Sequence, residues 1–294
     1  MRYSDALSFR TIGCFFSFLF AIFSPCWAQP KEAPYDTVWV KATGEAMTQY
    51  LSVEEAKRQA YWQACENAVS NHAVNLRVTA TRTTREGSGG LQDSFFRLLN
   101  TQTQGIIIDA EKRNYAQRPV SGEDFAKIIV TVHLKLAIPK SKRDDSFGLK
   151  VDLNNKEVFR EGEEIILQVR ATQDSYLTLF NVSSDSTVLL LCPNQYIASN
   201  TLPANKDVQF PSEDDRKRGI RLVATVSKST KLIQETIVAI ATRFPPRFSD
   251  SLITNELDEG LFAFEMTFFA MNRWLASIPL EQRIEAVIEY QVFP

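Results

Sequence analysis

Histidine is scarce in this sequence, and its scarcity limits the chemistry that the chain can perform. The chain has 294 residues but only two histidines, His72 and His133. A hydrolytic triad needs a histidine base beside a nucleophile. His72 stands at the end of a predicted helix and His133 on the solvent side of a predicted strand, and neither belongs to a catalytic motif. We therefore expect no catalytic residues and no enzymatic activity.

Cysteine is nearly as scarce. Cys14 and Cys26 lie in the first 28 residues, which leaves only Cys65 and Cys192 beyond them. A zinc site needs several cysteine or histidine ligands at short spacing, so we expect no metal, and no motif suggests a cofactor. A disulfide between Cys65 and Cys192 is one interpretation for an exported protein. Buried thiols are favoured, because Cys65 lies on the apolar face of a predicted helix and Cys192 ends an apolar strand.

The chain also lacks an excess of positive charge. Its 33 basic side chains are balanced by 35 acidic ones, which gives a formal net charge of −2. Binding to nucleic acid requires a concentrated basic surface, so we expect no nucleic-acid partner. The basic run at residues 140–143 is followed at once by Asp144 and Asp145. Such alternation of charge is typical of a solvated loop.

No apolar run reaches the length of about 20 residues that a membrane-spanning helix needs. The run at residues 12–23 follows Arg2 and Arg10 and precedes Ala28. A basic start, a short apolar run and a small residue before the cleavage point form a secretory signal peptide. We expect cleavage after Ala28 and a periplasmic or secreted protein without a stable membrane span. A retained membrane anchor is the alternative, and Pro25 disfavours a lipoprotein.

Residues 37–138 predict an α+β domain with a small sheet and helices on one of its faces. Ser52 begins a helix, and Glu55 completes a capping box with it. Alanine recurs at every fourth position from Ala56 to Ala68, which gives the helix a narrow apolar stripe. Strands are predicted at residues 38–42, 106–115 and 125–138, and a second short helix at residues 91–99.

A polar linker at residues 139–148 separates this domain from the rest of the chain. Residues 149–294 contain short strands at the spacing of a β-sandwich. A long loop at residues 193–219 interrupts them, and loops of this length are usually functional. A helix is predicted at residues 261–275 and a closing strand at residues 284–292. The predicted fold class is therefore α+β: a small sheet with helices on one face, then a β-sandwich domain with a C-terminal helix. Its other strands are predicted at residues 149–153, 164–171, 176–182, 187–192, 220–226 and 236–242.

The predicted C-terminal helix is unusually rich in aromatic side chains, with Phe268, Phe269 and Trp274. The favoured interpretation is that this helix covers an open face of the sandwich. The alternative is a surface for a partner, because an uncovered aromatic face marks an interaction site. If a partner surface exists, we expect it at these three residues and at Tyr196 in the long loop.

Three runs in the second half carry a family resemblance. They are residues 159–163, with Phe-Arg-Glu-Gly-Glu, residues 174–182, and residues 188–194. Here the chain resembles the bacterial family called domain of unknown function 4384, from residue 149 to about residue 243. The resemblance implies a β-sandwich accessory module without established catalytic residues. Cys192 stands where the family is expected to have phenylalanine, a departure that leaves the fold assignment unchanged.

Residues 38–138 are similar to the N-terminal domain of flagellar assembly protein T and related envelope lipoproteins. The similarity is carried by the strand before Gly44, the alanine-striped helix from Ser52 and the final alternating strand, and it implies a periplasmic adaptor fold. The sequence thus predicts a non-catalytic envelope protein, a binding or assembly module with a protein partner in a multiprotein complex. The alternatives are a regulatory subunit of a separate envelope enzyme or secretion apparatus, and a glycan-binding protein.

Overall fold

The fold is α+β, as predicted, and strands make up most of its regular structure. The computed structural model describes residues 32–74, 105–154, 156–183, 187–194, 196–197, 199–226, 233–248, 255–256 and 264–294. Residues 33–294 belong to one compact unit. The predicted signal peptide and the predicted helix at residues 91–99 lie outside the described residues.

A three-stranded antiparallel sheet begins the described chain. Strand β3 (Ala126–Pro139) lies between β1 (Tyr35–Met47) and β2 (Ile106–Pro119), so both edges of this small sheet are long strands. The even-numbered positions of β3 from Ala126 to Leu136 are buried, and the odd-numbered positions between them are half-exposed. This confirms the predicted alternation and separates a packed face from an outer face.

Helix α1 (Val53–Val74) starts at the predicted capping box. The backbone N–H of Ser52 donates to the Glu55 carboxylate over 2.8 Å, and the Glu55 N–H donates to the Ser52 hydroxyl over 3.2 Å. Each side chain thus accepts a hydrogen bond from a backbone group that the first helical turn leaves unpaired. The cap fixes where the chain leaves the turn after β1 and enters the helix.

The alanine stripe of α1 lies directly on the packed face of the small sheet. Gly44 of β1 is the point of closest approach, where an added Cβ would overlap the carbonyl oxygen of Ala60 and the amide nitrogen of Ala64. Ala56, Ala60 and Ala64 are fully buried. The missing side chain at position 44 and the small ones on α1 therefore let two backbones touch.

The rest of the described chain forms one large sheet and two small ones. The large sheet has eight strands in the order β14–β15–β9–β8–β13–β16–β5, with β10 beside β8, and the small ones are β11–β7–β4 and β12–β6. The strands are β4 (Leu149–Leu153), β5 (Val158–Arg160), β6 (Glu164–Ile165), β7 (Leu167–Ala171), β8 (Ser175–Ser183), β9 (Thr187–Cys192), β10 (Thr201–Leu202), β11 (Asp207–Phe210), β12 (Leu222–Val223), β13 (Ile233–Thr242), β14 (Asn255–Glu256), β15 (Phe264–Thr267) and β16 (Arg283–Phe293). The helices are α2 (Glu213–Lys217), α3 (Phe268–Ala276) and a 3-10 turn (Leu280–Gln282).

The eight-stranded sheet is covered on both faces. Leu179 and Ala239 face a core shared with the strands β4, β6, β7 and β11, which we call the sandwich core. Phe180, Val238 and Ile240 face the other way, into a core that includes α1, α3 and the small sheet, which we call the shared core. The N-terminal and C-terminal parts of the chain are thus joined by common apolar packing.

The segment at residues 193–219 contains regular structure and is not the uninterrupted loop that the sequence predicted. Strand β10 pairs with β8, strand β11 pairs with β7, and α2 follows. Helix α2 has a capping box in which Ser212 and Asp215 satisfy each other's backbone N–H. The prediction failed because two-residue and four-residue strands are too short to show a period.

The predicted helix at residues 261–275 begins only at Phe268, since Phe264 to Thr267 form β15 and pair with β9. The Thr267 hydroxyl accepts a hydrogen bond from the Ala270 N–H over 3.2 Å and caps α3. The helical spacing of Phe264 and Phe268 was misleading, because these two residues lie on different elements.

The segment between β3 and β4 is tied to the large sheet. Arg143 forms an ion pair with Glu285 of β16, which also pairs with the buried Arg283. Asp144 forms an ion pair with Arg243, just after β13. The prediction that residues 140–145 form a merely solvated loop is therefore wrong for Arg143 and Asp144.

Candidate partner surfaces

Helix α3 places most of its aromatic side chains in the shared core. Trp274 is 3% exposed, stacks on Phe248 with ring centroids 4.9 Å apart and meets Phe180 edge-on at 5.4 Å. Phe268 is equally buried and meets Trp62 of α1 edge-on at 5.5 Å. The partner surface that the alternative interpretation placed on this helix is thus packed, at these two residues, against the chain's own α1 and large sheet.

Phe269 is the member of the predicted set on α3 that is only partly buried. Its ring centroid lies 6.0 Å from that of Phe268, at the rim of the shared core. The structure therefore brings Phe268, Phe269 and Trp274 together on one short helix. Their places in that core fit the favoured interpretation of this helix, that it covers a face of the sheet.

Polar groups of α3 also bind the start of β2. The register of β2 against β3 shifts between Ile107 and Asp109. At this bulge the Asn272 amide donates to the Ile107 carbonyl over 2.8 Å, and the Arg273 guanidinium donates to the Ile108 carbonyl over 3.2 Å. Because Asn272 is fully buried, this contact is part of the interior and fixes α3 on the small sheet.

Tyr196 is 42% exposed and lies on a turn fixed by Asn194. The Asn194 side-chain oxygen accepts hydrogen bonds from the N–H groups of Tyr196 and Ile197 over 2.9 and 2.8 Å. Its amide nitrogen donates to the Leu191 carbonyl over 2.8 Å. Ile197 is buried in the sandwich core, so the turn holds Tyr196 at the surface while its neighbour anchors the segment.

The C-terminal end of the same segment is held by Asp215. Burial would raise the pKa of Asp215, but hydrogen bonds from Ser212 and the ion pair with Arg218 lower it below its usual value. The carboxylate is therefore charged at neutral pH, and α2 keeps its cap. The segment between β9 and β12 is anchored at both ends, with Tyr196 exposed near its start.

Both described thiols are buried and lack a disulfide, as expected. Burial raises the pKa of Cys65 to about 12, and burial together with the nearby Asp215 carboxylate raises the pKa of Cys192 to about 12. A thiol reacts as the thiolate. At neutral pH these two cysteines are therefore protonated and shielded.

The two histidines lie where the sequence placed them. His72 is in the last turn of α1, and His133 is on the outer face of β3, between Lys41 and Glu111 of the neighbouring strands. Within the part of the chain that the structure describes, no group of three or more histidine, cysteine, aspartate or glutamate side chains could hold a metal ion. Among the same residues, no helix has both the length and the apolar character needed to cross a membrane.

The middle of the second half matches a family of known sequences. The model of the family described as Domain of unknown function (DUF4384) matches residues 158–245. This segment runs from β5 to β13 and includes the Tyr196 turn. The search of curated proteins finds no match to the chain.

Three exposed aromatic side chains of the N-terminal half were not among the predicted surface residues. Trp39 of β1 is 44% exposed, Tyr115 of β2 is 43% exposed, and Tyr50, in the turn before α1, is 88% exposed. The sequence does carry a signal for Trp39, because it alternates with Val38 and Val40 and must point away from the face that they occupy. No pattern around Tyr50 indicates its exposure.

Proposed function

We propose that this protein is a non-catalytic component of the bacterial cell envelope that binds a protein partner through the surface around Tyr196. The observation that carries the proposal is the exposure of Tyr196 on a turn whose backbone is held by three side-chain hydrogen bonds of Asn194 and by the buried Ile197. Tyrosine offers a large contact area at a low cost in conformational entropy. A tyrosine fixed at the surface before binding loses less entropy when a partner docks.

The state of the cysteines favours binding over catalysis. Both described thiols are protonated at neutral pH and buried, which makes them poor nucleophiles. A hydrolase activity found in the purified protein would contradict this part of the proposal.

An envelope location is supported by the N-terminal pattern of Arg2, Arg10, the apolar run at residues 12–23 and Ala28. The resemblance to adaptor domains of envelope lipoproteins that the sequence of residues 38–138 predicts is our reason for proposing a role in assembly. Mass spectrometry of the protein from the periplasmic fraction is expected to find a chain that begins at Gln29. Recovery of the uncleaved chain from the cytoplasm alone would rule out the envelope location.

Site-specific photo-crosslinking in the native bacterium tests the partner surface. A photoreactive amino acid at position 196 is expected to give a discrete crosslinked species, which mass spectrometry then identifies. Tyr50 is the matched control, since it is the same residue type and is more exposed. The same substitution at position 50 is expected to leave that species absent.

The identified partner then allows a quantitative test with purified proteins. Tyr196→Ala is expected to weaken binding about tenfold, the order of effect of a central interface tyrosine, without a change in the thermal unfolding of the protein. Tyr50→Ala is expected to leave the affinity unchanged. Equal crosslinking at both positions, or an affinity that Tyr196→Ala does not change, would overturn the assignment of this surface.

A further inference from the structure

The outer edge of β1 is protected along only part of its length. Backbone groups of β1 at even positions face β3, as the adjoining bonds from Thr48 N–H to the Ala126 carbonyl and from Lys140 N–H to the Pro34 carbonyl show. In an antiparallel pair the N–H and C=O of one residue point the same way, and the direction alternates along the strand. The odd positions of β1 therefore direct their backbone groups away from the sheet.

Helix α1 satisfies the later part of this edge. The Gln63 side-chain oxygen accepts a hydrogen bond from the Glu45 N–H over 2.6 Å, and the Asn67 amide donates to the Thr43 carbonyl over 2.9 Å. These two side chains occupy the positions that a neighbouring strand would use. Strand pairing at this end of β1 is thereby blocked.

The opposite edge of the small sheet is irregular. Strand β2 has two register shifts against β3, and Lys112 within it has a φ of 51°. Bulges and charged side chains are the devices that keep an edge strand from pairing with another chain. Along β2 these devices recur between Ile107 and Asn114.

The first part of the β1 edge has neither kind of protection. Its register with β3 is unbroken over the whole strand. Among the described residues, nothing is hydrogen-bonded to the outward backbone groups of Thr37, Trp39 and Lys41. A regular edge with open donors and acceptors is a template for an added strand.

The side chains beside this edge indicate which strand would fit. Trp39 is exposed, and the Lys135 ammonium lies 5.8 Å from the centroid of its ring. Within the described chain, neither Lys41 nor Lys135 forms an ion pair with a carboxylate. An added strand would therefore place an apolar side chain beside Trp39 and a carboxylate two residues away, beside Lys41.

We propose that the edge of β1 from Thr37 to Lys41 binds an extended, acidic segment of another protein by strand addition. A second copy of this chain fits less well, because its own edge offers Thr37, Trp39 and Lys41 on this face, and none of these is acidic. The proposal does not depend on the Tyr196 surface, which lies in the other half of the chain.

A designed peptide tests the proposal directly. The probe is a fluorescent, end-blocked peptide with the sequence Ser-Glu-Thr-Val-Thr-Thr-Ser. The control peptide has lysine in place of glutamate. Fluorescence anisotropy with the purified protein is expected to show at least about tenfold tighter binding of the glutamate peptide. Absent or equal binding of the two peptides would overturn the proposal.

Two variants distinguish strand addition from non-specific electrostatic attraction. Thr37→Pro removes an outward N–H that the pairing with β3 does not use, and edge strands tolerate such a proline. It is expected to weaken binding of the glutamate peptide about tenfold. Thr37→Ala, which keeps the N–H, is expected to bind as the parent does. Lys41→Glu leaves the backbone intact and is expected to reverse the preference between the two peptides.

Amide hydrogen exchange identifies the occupant of the edge. In the protein alone, the N–H groups of Thr37, Trp39 and Lys41 are expected to exchange fast and those of Val38 and Val40 slowly, and the glutamate peptide should protect the first three. Protection in the monomer without peptide would show that the chain's own residues 75–104 cover the edge. Protection that rises with protein concentration would show a second copy there, and either result would overturn the proposal.

Discussion

The small sheet and the eight-stranded sheet differ in the number of faces that the chain covers. On β3, buried even positions alternate with half-exposed odd ones. On β13, every residue from Thr236 to Thr242 is buried, because the shared core and the sandwich core lie on its two sides. Truncating a side chain in the shared core or the sandwich core leaves a cavity. Truncating one on the outer face of the small sheet leaves a space that solvent fills.

Replacing one tryptophan from each region sharpens this comparison most. Trp274→Ala is expected to lower the free energy of unfolding by about 3–5 kcal/mol, because it empties a packed site in the shared core. Trp39→Ala makes the same chemical change on the outer face of the small sheet and is expected to cost less than about 1 kcal/mol. Urea denaturation measures both. Equal losses would show that the two regions do not differ as described.

A smaller effect is expected at the covered face of the small sheet. Gly44→Ala places a Cβ against the backbone of α1 at Ala60 and Ala64, and neither backbone can move without losing its hydrogen bonds. We expect a loss of about 3 kcal/mol in the free energy of unfolding. Gly105→Ala is the control, because the nearest atom to its Cβ would be in the Ile138 side chain at 3.4 Å, an ordinary van der Waals contact. A tolerated Gly44→Ala would mean that α1 lies farther from β1.

The smallest effect concerns the start of α1. Hydrogen bonds from the Ser52 hydroxyl and backbone lower the pKa of Glu55 below its usual value. This contribution to stability is complete above the pKa of the unfolded carboxyl and disappears as the pH falls through the lowered value. Ser52→Ala is expected to cost about 1 kcal/mol at neutral pH and less in acid, as measured by urea denaturation at both pH values. Ser70→Ala, inside the same helix, should cause no such pH-dependent difference.

The sequence predicted the elements whose residues follow a clear period. The alternation from Ala126 to Leu136, the capping box of Ser52 and the apolar runs of β8 and β13 were all visible. The continuous apolar run at 237–241 indicates burial on both faces, but no local pattern says which element provides the second cover. That the cover is α1 and α3 depends on contacts between positions about 100 to 200 residues apart in the chain, such as Trp62 with Phe268.

The partner surfaces were predictable only in part. The sequence marked Tyr196 as a surface candidate, and the structure places it on a fixed turn at the surface. Aromatic side chains of α3 could be core or interface, and burial alone decided for Phe268 and Trp274. The open edge of β1 could not be predicted, because a strand becomes an edge through sheet order, which no local pattern in the chain encodes.

The extent of the family match has a consequence for how such a domain can be used. Residues 158–245 include β8, β9 and β13 but not α1, α3 or β16. Phe180, Val238 and Ile240 would be exposed to water in a chain that carried this segment alone, since their packing partners lie outside it. A copy of the segment in another protein would therefore need packing partners from the rest of that protein. Without them its exposed apolar face would associate with other molecules.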